Sequence, residues 1–341
     1  AAEYSLEQEA IMSLPATMQA AFIRETGGTD KIETGELPVP CLGPTDVLVQ
    51  MEASEVNHVD LFVRSGAFPT HTPFPFVIGR DLVGTVVAAG PGAAGFSVGR
   101  RVWCNSLGHE GRQGAFSEYA VVSAERLYPL PAGVAPEEAA ALLHGAATAH
   151  IGLNREAGLA AGDTLLVEGA GGGVGSAVVQ MATAMGARVI ATASAEDADW
   201  CRRCGADVVL DYHQEDRYKQ VREAAPRGVN VWWDCSGRHD FSRCLPLLAV
   251  GGRVVIMAGL QGATPTLPVG AMYTREITLH GFAISNATVS DLSRAASSVN
   301  QLLSAGQLKA RIGATYALAE AATAHEAMAS GAVRGRIVVR G

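Results

Sequence analysis

The sequence predicts an α/β protein built from a β-rich N-terminal module and a doubly wound domain with a parallel sheet. Between residue 18 and about residue 130, short valine-rich runs are separated by glycine and proline, which indicates strands joined by turns. Later in the chain, continuous apolar runs alternate with helical stretches, as in a parallel sheet buried on both faces. These runs are residues 164–169, 188–193, 207–212, 229–234, 253–259 and 277–283.

The same patterns divide the chain into segments. Residues 1–17 form an acidic tail, expected to be loose, that has neither the basic start nor the long apolar stretch of a targeting signal. Residues 18–136 form the β-rich module, and residues 137–285 form the doubly wound domain. Residues 286–341 end in the strand-like stretch GRIVVRG, so we expect them to complete the first module.

Composition restricts the classes of function. Of the 341 residues, 48% are apolar and 18% are charged, which is typical of a globular protein. The formal net charge of -8 argues against nucleic acid as a partner, because phosphate binding needs a basic field. No apolar run reaches the roughly 18 residues that span a bilayer, so no membrane partner is expected. Six cysteines are too sparse for a disulfide framework, and we expect a cytoplasmic protein.

A glycine-rich turn predicts a dinucleotide site. The first apolar run of the parallel sheet ends at Glu168, and glycines 169, 171, 172, 173 and 175 follow before an amphipathic helix. Small residues at this spacing allow a tight turn, close approach of a pyrophosphate, and close packing of the helix on the strand. The pyrophosphate is expected on the free N–H groups at the helix start. The predicted contact residues are Ala170, Gly172, Gly173, Val174 and Gly175.

The end of the second run bears on the choice between NADH and NADPH. NAD sites place an acid there, on the 2′-hydroxyl of the ribose. Here Ala193 and Ser194 occupy that place. Glu196 lies too far beyond the strand end to be a good ligand for the ribose 2′-hydroxyl. A hydroxyl without an acid leaves room for a 2′-phosphate, so the sequence predicts NADPH. Arg202 or Arg203 either helps to neutralise the phosphate or is a solvated helix residue.

At this point the chain resembles the medium-chain dehydrogenase/reductase superfamily, and within it the zinc-free quinone oxidoreductase branch similar to zeta-crystallin. The resemblance runs from about Met18 to the C-terminus and rests on the glycine turn and three further stretches. These are VNHVDLFVRSG, GRDLVGTVVAAG and DCSGRHDFSRCLPLLAVGGRVVIMAG. It implies a GroES-like N-terminal module, a Rossmann cofactor domain, and an active site in the cleft between them.

The resemblance also implies roles for individual residues. Asn57 matches an asparagine near the nicotinamide, at a position where zinc-dependent relatives have a cysteine. Thr148 matches a threonine beside the nicotinamide ring. Asn57 and Thr148 are therefore the candidate catalytic residues. The remaining candidates for cofactor contacts are Ser194, Tyr212, Ser236, Gly237, Ala258 and Gly259.

The expected metal-ligand set does not suit zinc. Catalytic zinc needs about three ligands from Cys, His or carboxylate, whereas Asn57, Arg80 and Asp81 stand at the matching positions. Arginine cannot lose its proton to become a ligand, so no metal is predicted. Arg80 and Asp81 are instead expected to pair with each other or with neighbours. Phe62 and Phe68 stand where some relatives have tyrosines, which removes two proton donors.

Taken together, the sequence predicts an NADPH-dependent, zinc-free reductase of quinones or conjugated carbonyl compounds. Two alternatives stay open: a metal-dependent alcohol dehydrogenase, and a nucleotide-binding protein with little turnover. A lysine often found after the second strand is Ala198 here, which weakens the argument for NADPH. The run at residues 277–283 is expected to be an apolar sheet edge, so a homodimer is predicted.

Overall fold

The structure is a computed structural model that describes residues 14–260 and 262–341. The chain forms two compact units. The first ends at His144 and resumes at Ala310, and the second spans Gly145–Lys309. In the described part of the chain, every helix is too short or too polar to cross a bilayer.

Residues 14–260 and 262–341 contain sixteen strands, which are labelled in chain order. They are β1 (Thr17–Ile23), β2 (Glu33–Pro38), β3 (Asp46–Glu55), β4 (Phe76–Val77), β5 (Leu82–Ala89), β6 (Arg101–Cys104), β7 (Tyr119–Ser123), β8 (Tyr128–Pro129), β9 (Thr164–Glu168), β10 (Arg188–Ala193), β11 (Val208–Asp211), β12 (Val229–Asp234), β13 (Leu248–Ile256), β14 (Thr278–Gly281), β15 (Ile312–Ala317) and β16 (Arg336–Arg340).

The α-helices are labelled in the same way. They are α1 (His58–Ser65), α2 (Pro136–Ile151), α3 (Gly173–Ala184), α4 (Ala198–Arg203), α5 (Arg217–Ala224), α6 (Phe241–Cys244), α7 (Val269–Tyr273), α8 (Val289–Ser304) and α9 (Ala321–Ser330). A short π-helical stretch, Gly152–Glu156, follows α2 directly.

The first unit is built on two β-sheets. One has the order β2-β1-β4, and the other has the order β15-β16-β3-β5-β6-β8, with β7 paired to β3. Most pairs are antiparallel, and β15 with β16 is a parallel exception. The last strand, β16, pairs with β3, so the C-terminal segment rejoins this unit. Alternate β3 residues Val47, Val49 and Met51 enter the core of this unit, as expected for a strand with a two-residue period.

The second unit has the predicted doubly wound sheet. Its six strands have the order β11-β10-β9-β12-β13-β14, and all neighbouring pairs are parallel. Because parallel strands point the same way, the carboxyl ends of β9, β10 and β12 meet at one edge, where this fold binds nucleotides. The buried faces of the sheet contribute Leu166, Ile190, Trp232 and Val254 to one apolar core.

The helix α8 lies in the second unit, whereas the sequence analysis placed residues 286–341 in the first. Thr288 caps α8 by accepting a hydrogen bond from the Asp291 N–H group at 3.1 Å. The Asp291 carboxylate accepts a hydrogen bond from Arg155 at 2.9 Å, and Leu292 and Val299 are buried. The chain therefore returns to the first unit only at residue 310.

Candidate active site

The glycine turn joins β9 to α3 in the second unit. Gly169 has a φ of +75°, in the left-handed region that favours glycine. A Cβ on Gly175 would lie 2.2 Å from the Gly169 carbonyl oxygen, so only glycine lets the helix approach the strand this closely. A Cβ on Gly172 would meet no atom nearer than 3.5 Å, so space is open outside the turn at that position. Free N–H groups of the first helical turn and this open face fit a pyrophosphate.

A cavity of about 630 Å³ lies at the carboxyl edge of the same sheet. Two of the predicted cofactor residues, Tyr212 and Ser236, line it. The sequence analysis missed several polar residues of its wall, among them Glu168, Arg217, Tyr218 and Arg238. Arg217 donates a hydrogen bond to the Tyr218 hydroxyl at 2.9 Å and stacks over its ring at 4.3 Å from the ring centroid.

The carboxyl group of Glu168 lies against the end of the neighbouring strand. Glu168 and Asp234 are register partners at the ends of β9 and β12. Burial, together with the carboxyl group of Asp234, raises the pKa of Glu168 to about 7, and the charge of Arg217 limits the increase. Near neutral pH, Glu168 therefore exists as a mixture of the protonated and ionised forms.

Asp234 organises the loop that follows β12. Its Oδ1 atom accepts hydrogen bonds from the N–H group of Ser236 at 2.7 Å and from the Ser236 hydroxyl at 2.6 Å. Its Oδ2 atom lies 3.0 Å from His239 Nδ1, and His239 Nε2 lies 3.4 Å from the carbonyl oxygen of Ala258. The buried Asp234–His239 pair thus links two loops that carry predicted cofactor residues, Ser236–Gly237 and Ala258–Gly259.

Ala258 has an unusual backbone conformation. Its φ is +71°, in the left-handed region that non-glycine residues rarely occupy. The next residue, Gly259, has a φ of +87°, and a Cβ there would lie 3.2 Å from His239 Nε2. Strained residues of this kind concentrate at ligand sites, where surrounding structure holds them.

Ser194 lies at the end of β10, and its hydroxyl is already engaged. It donates a hydrogen bond to the Asp197 carboxylate at 3.3 Å. Asp197 closes the 3₁₀ turn Ala195–Asp197 that follows the strand. The sequence analysis found no acid at this strand end, because Asp197 comes three residues after Ser194 and only the turn brings it back.

In the first unit, Asn57 belongs to a buried polar network. Asn57 is 3% exposed and precedes α1, where its N–H group donates to the Asp60 carboxylate at 2.7 Å. Its side-chain oxygen accepts from Arg336 Nη2 at 2.7 Å, and its Nδ2 donates to Asp81 Oδ2 at 2.5 Å. Arg336 also donates through Nε to Glu55. Arginine has no acceptor atom, so its bond fixes which end of the Asn57 amide faces Asp81.

Ionisation in this network is governed by burial. Three carboxyl groups, those of Glu55, Asp60 and Asp81, share the site with the guanidinium groups of Arg80 and Arg336. Burial raises the pKa of Asp60 to about 7. Burial also raises the pKa of Asp81 well above its usual range, and the neighbouring carboxyl groups add to the effect. Since carboxyl groups outnumber guanidinium groups, we expect one carboxyl group to stay protonated near neutral pH.

The sequence analysis expected Arg80 and Asp81 to pair with each other or with neighbours, and among the described residues the structure shows no hydrogen bond between the two. Arg80 is 2% exposed, and its Nε and Nη2 atoms have no hydrogen-bond partner among the described residues. Asp81 bonds Asn57 instead. The positive charge of Arg80 still acts on the pKa of both Asp60 and Asp81.

Two family models match the chain. The alcohol dehydrogenase GroES-like domain matches residues 43–132, and the zinc-binding dehydrogenase domain matches residues 173–300. The quinone oxidoreductase of Rattus norvegicus is 30% identical over 312 residues, which cover 91% of this chain and 93% of that protein. The quinone oxidoreductase of Pseudomonas aeruginosa is 30% identical over 321 residues, covering 92% and 96%.

The chain belongs to the medium-chain dehydrogenase/reductase superfamily, in its quinone oxidoreductase branch.

Solved structures agree with this membership. A mycobacterial quinone oxidoreductase superposes with a TM-score of 0.84 and 33% identity, over 95% of this chain and 100% of that chain. A mycobacterial protein described in complex with NADPH has a TM-score of 0.83 and 33% identity, with the same coverage. An NAD-dependent alcohol dehydrogenase has a TM-score of 0.86 and 32% identity, again with that coverage. The GroES-like module and the Rossmann domain expected from the sequence are confirmed.

Membership of this superfamily raises the question of zinc, and the residues present do not fit it. Asn57 is held at both ends by Arg336 and Asp81, and Arg80 cannot act as a ligand. Over residues 14–260 and 262–341, no three His, Cys, Asp or Glu side chains are grouped so that they could hold a metal ion.

The two predicted catalytic residues of this chain lie in different units. Asn57 lies in the first unit, and Thr148 is buried in α2 within the second. Besides the residues of the cavity wall named above, the sequence analysis missed Asp197, His239 and Arg336. His239 stands within the quoted stretch DCSGRHDF, so a histidine after the Ser–Gly turn was a usable signal. Arg336 had no local signal, because it meets Asn57 across 279 residues of sequence.

Proposed function

We propose that this chain is a zinc-independent, NADPH-dependent reductase that transfers a hydride to a quinone or an α,β-unsaturated carbonyl compound. The observation that carries the proposal is the network of Arg336, Asn57 and Asp81, which presents an oriented amide in place of a metal. Likeness to curated quinone oxidoreductases supports the substrate class. The mycobacterial neighbour in complex with NADPH supports the cofactor.

Asn57 is the proposed hydrogen-bond donor to the acceptor oxygen. An amide NH₂ group has two N–H donors, and one of them points to Asp81 at 2.5 Å. The second N–H is proposed to stabilise negative charge on the substrate oxygen. Because Arg336 holds the amide oxygen, the donor is oriented before the substrate arrives, which is the condition for electrostatic stabilisation of a transition state. In this scheme Arg336 is a positioning residue.

This site suits a conjugated acceptor. Hydride addition to an isolated carbonyl places a full negative charge on one oxygen, which zinc-dependent relatives neutralise with the metal. In an enone or a quinone, the charge spreads into an enolate or a quinol anion, which hydrogen bonds can hold. Phe62 and Phe68 carry no hydroxyl, so water is the proposed source of the final proton. The hydride itself would come from the nicotinamide of a bound cofactor.

The cofactor is proposed to lie along the carboxyl edge of the Rossmann sheet. Gly172 and the first turn of α3 would hold the pyrophosphate, Tyr212 would lie near the adenosine half, and Ser236–Gly237 would lie near the nicotinamide half. The positive charges of Arg217 and Arg238 favour a phosphorylated cofactor. Thr148 and the Ala258–Gly259 loop are proposed to contact the nicotinamide half.

The proposal extends to assembly and compartment. All six cysteines are free thiols, which fits the reducing cytoplasm. The strand β14 is the open edge of the Rossmann sheet, which fits a homodimer formed across a two-fold axis.

One experiment separates the proposal from its rivals. The purified chain is supplied with NADPH or NADH and with a quinone, an enone or a saturated ketone, and its metal content is measured. We expect cofactor oxidation with the quinone or the enone, without stoichiometric zinc. Faster turnover of the saturated ketone with bound zinc would indicate an alcohol dehydrogenase. Tight nucleotide binding without turnover would indicate a binding protein.

A further inference from the structure

The side chain of Asp197 packs directly on the glycine turn. A Cβ added to Gly171 would lie 2.6 Å from Asp197 Oδ2 and 2.9 Å from Asp197 Cβ, so the two residues are in close contact. The same Oδ2 atom accepts the hydrogen bond from Ser194. Asp197 is therefore fixed between the glycine turn and the end of β10.

This is where the ribose of the adenosine half lies in a doubly wound domain. A carboxylate at that place accepts hydrogen bonds from a free ribose diol and repels a 2′-phosphate through its like charge. The hydroxyl of Ser194, predicted from the sequence to face a 2′-phosphate, is oriented towards Asp197 instead. Both features favour an unphosphorylated ribose.

The basic residues of the following helix are engaged elsewhere. Arg202 donates a hydrogen bond to Asp199 at 2.7 Å, and the guanidinium group of Arg203 lies 5.7 Å from the ring centroid of Trp200. The two arginines considered as phosphate ligands in the sequence analysis therefore have partners on α4. The cations that line the cavity are Arg217 and Arg238.

We infer that Asp197 is a specificity-determining residue, which opposes the pull of Arg217 and Arg238 on a 2′-phosphate and keeps NADH a working cofactor. This inference rests on the proposed cofactor site. It implies that any preference for NADPH is limited by one carboxylate, and that removing this charge increases the preference.

The test compares Asp197→Ser with Asp199→Ser, a matched variant two residues further along. The side chain of Asp199 is 83% exposed and pairs with Arg202 on the outer face of α4. Calorimetry measures the binding of 2′,5′-ADP and of 5′-AMP, which differ only in the 2′-phosphate. We expect Asp197→Ser to increase the affinity ratio in favour of 2′,5′-ADP by about ten-fold to a hundred-fold. Asp199→Ser should change the ratio by less than about two-fold.

Kinetics provide a second measurement. In Asp197→Ser, the ratio of kcat/KM for NADPH to that for NADH should increase by a similar factor, mainly through a lower KM for NADPH. Asp197→Asn keeps the size of the side chain and tests the charge alone, so it should shift the ratio in the same direction. A circular dichroism spectrum and a thermal midpoint close to those of the wild-type chain show that each variant is folded.

Three outcomes would count against one or other of these claims. If the wild-type chain binds neither nucleotide, the proposed cofactor site itself is wrong. If the wild-type chain and the variants bind both nucleotides with the same ratio, the cofactor site stands and the role of Asp197 is refuted. A clear wild-type preference for NADPH of a thousand-fold or more would also overturn the inference.

Discussion

Arg336 donates a hydrogen bond to the side-chain oxygen of Asn57 at 2.7 Å and thereby fixes the direction of that amide. The opposite end of the amide must then present its N–H groups, one of which bonds Asp81. A guanidinium group can only donate, so no flipped amide satisfies both neighbours. The first unit thus holds a neutral hydrogen-bond donor, the Asn57 amide, in a fixed orientation.

The first prediction concerns Asn57. Asn57→Ala should lower turnover of an enone by about 10²–10³ while leaving NADPH affinity nearly unchanged, because one oriented donor is lost from the acceptor oxygen. Steady-state kinetics and nucleotide titration measure the two effects separately. The control is Asn154→Ala, at an exposed residue whose amide only donates to the His150 carbonyl oxygen. Equal turnover in the two variants would remove Asn57 from the mechanism.

The glycine turn gives a second prediction. Gly172→Val should abolish dinucleotide binding in a folded chain, because its Cβ points into open space that the pyrophosphate needs. Gly175→Val should instead destabilise the fold, since a Cβ there would press on the Gly169 carbonyl oxygen at 2.2 Å. Circular dichroism with calorimetric titration of NADPH distinguishes these cases. Gly270→Val, where no atom lies within 4 Å, is the control. Normal NADPH affinity in Gly172→Val would disprove the site.

The raised pKa of Glu168 predicts that the stability of the fold depends on pH. Its pKa is raised from 4.5 to about 7 in the folded chain, so its contribution is complete below pH 4.5 and lost as pH rises through 7. The difference in free energy of unfolding between Glu168→Gln and wild type should therefore change by roughly 1–3 kcal/mol in favour of the variant when the pH is raised from 4.5 to 8. Urea titrations of both proteins measure this difference. Glu223→Gln, on the exposed face of α5, should show no such gain. A parallel pH profile for Glu168→Gln and wild type would contradict the assignment.

The open edge at β14 predicts the oligomeric state. Light scattering at micromolar concentration should give the mass of a dimer. Tyr273, 72% exposed in the helix just before β14, is the residue to alter. Tyr273→Glu should shift the equilibrium towards the monomer, because an added charge disfavours burial in an interface. A monomer mass for the wild-type chain would remove this part of the proposal.

The sequence predicted the elements that depend on local patterns. Continuous apolar runs predicted the parallel sheet, and the spacing of Gly172 and Gly175 predicted the glycine turn between β9 and α3. Both features depend on residues that are close together in the sequence. The return of the C-terminal strand to the first unit also followed from a recognisable strand at residues 335–341, and the structure adds that its partner is β3.

Other features depend on contacts that no local pattern records. Arg336 reaches Asn57 only after the chain has crossed the whole second unit. Asp197 returns to Ser194 through a 3₁₀ turn that shortens the path between them. The helix α8 follows the last strand of the parallel sheet. Its place in the second unit depends on the contact between Arg155 and Asp291, which are far apart in the sequence.

The most direct test of the account compares a matched pair of substrates, an enone and the corresponding saturated ketone, with protein dialysed against a chelator. If an oriented Asn57 amide replaces the metal, the chelator leaves activity unchanged and the enone is reduced at least a hundred-fold faster than the saturated ketone. Faster reduction of the saturated ketone, or loss of activity that added zinc restores, would contradict the account.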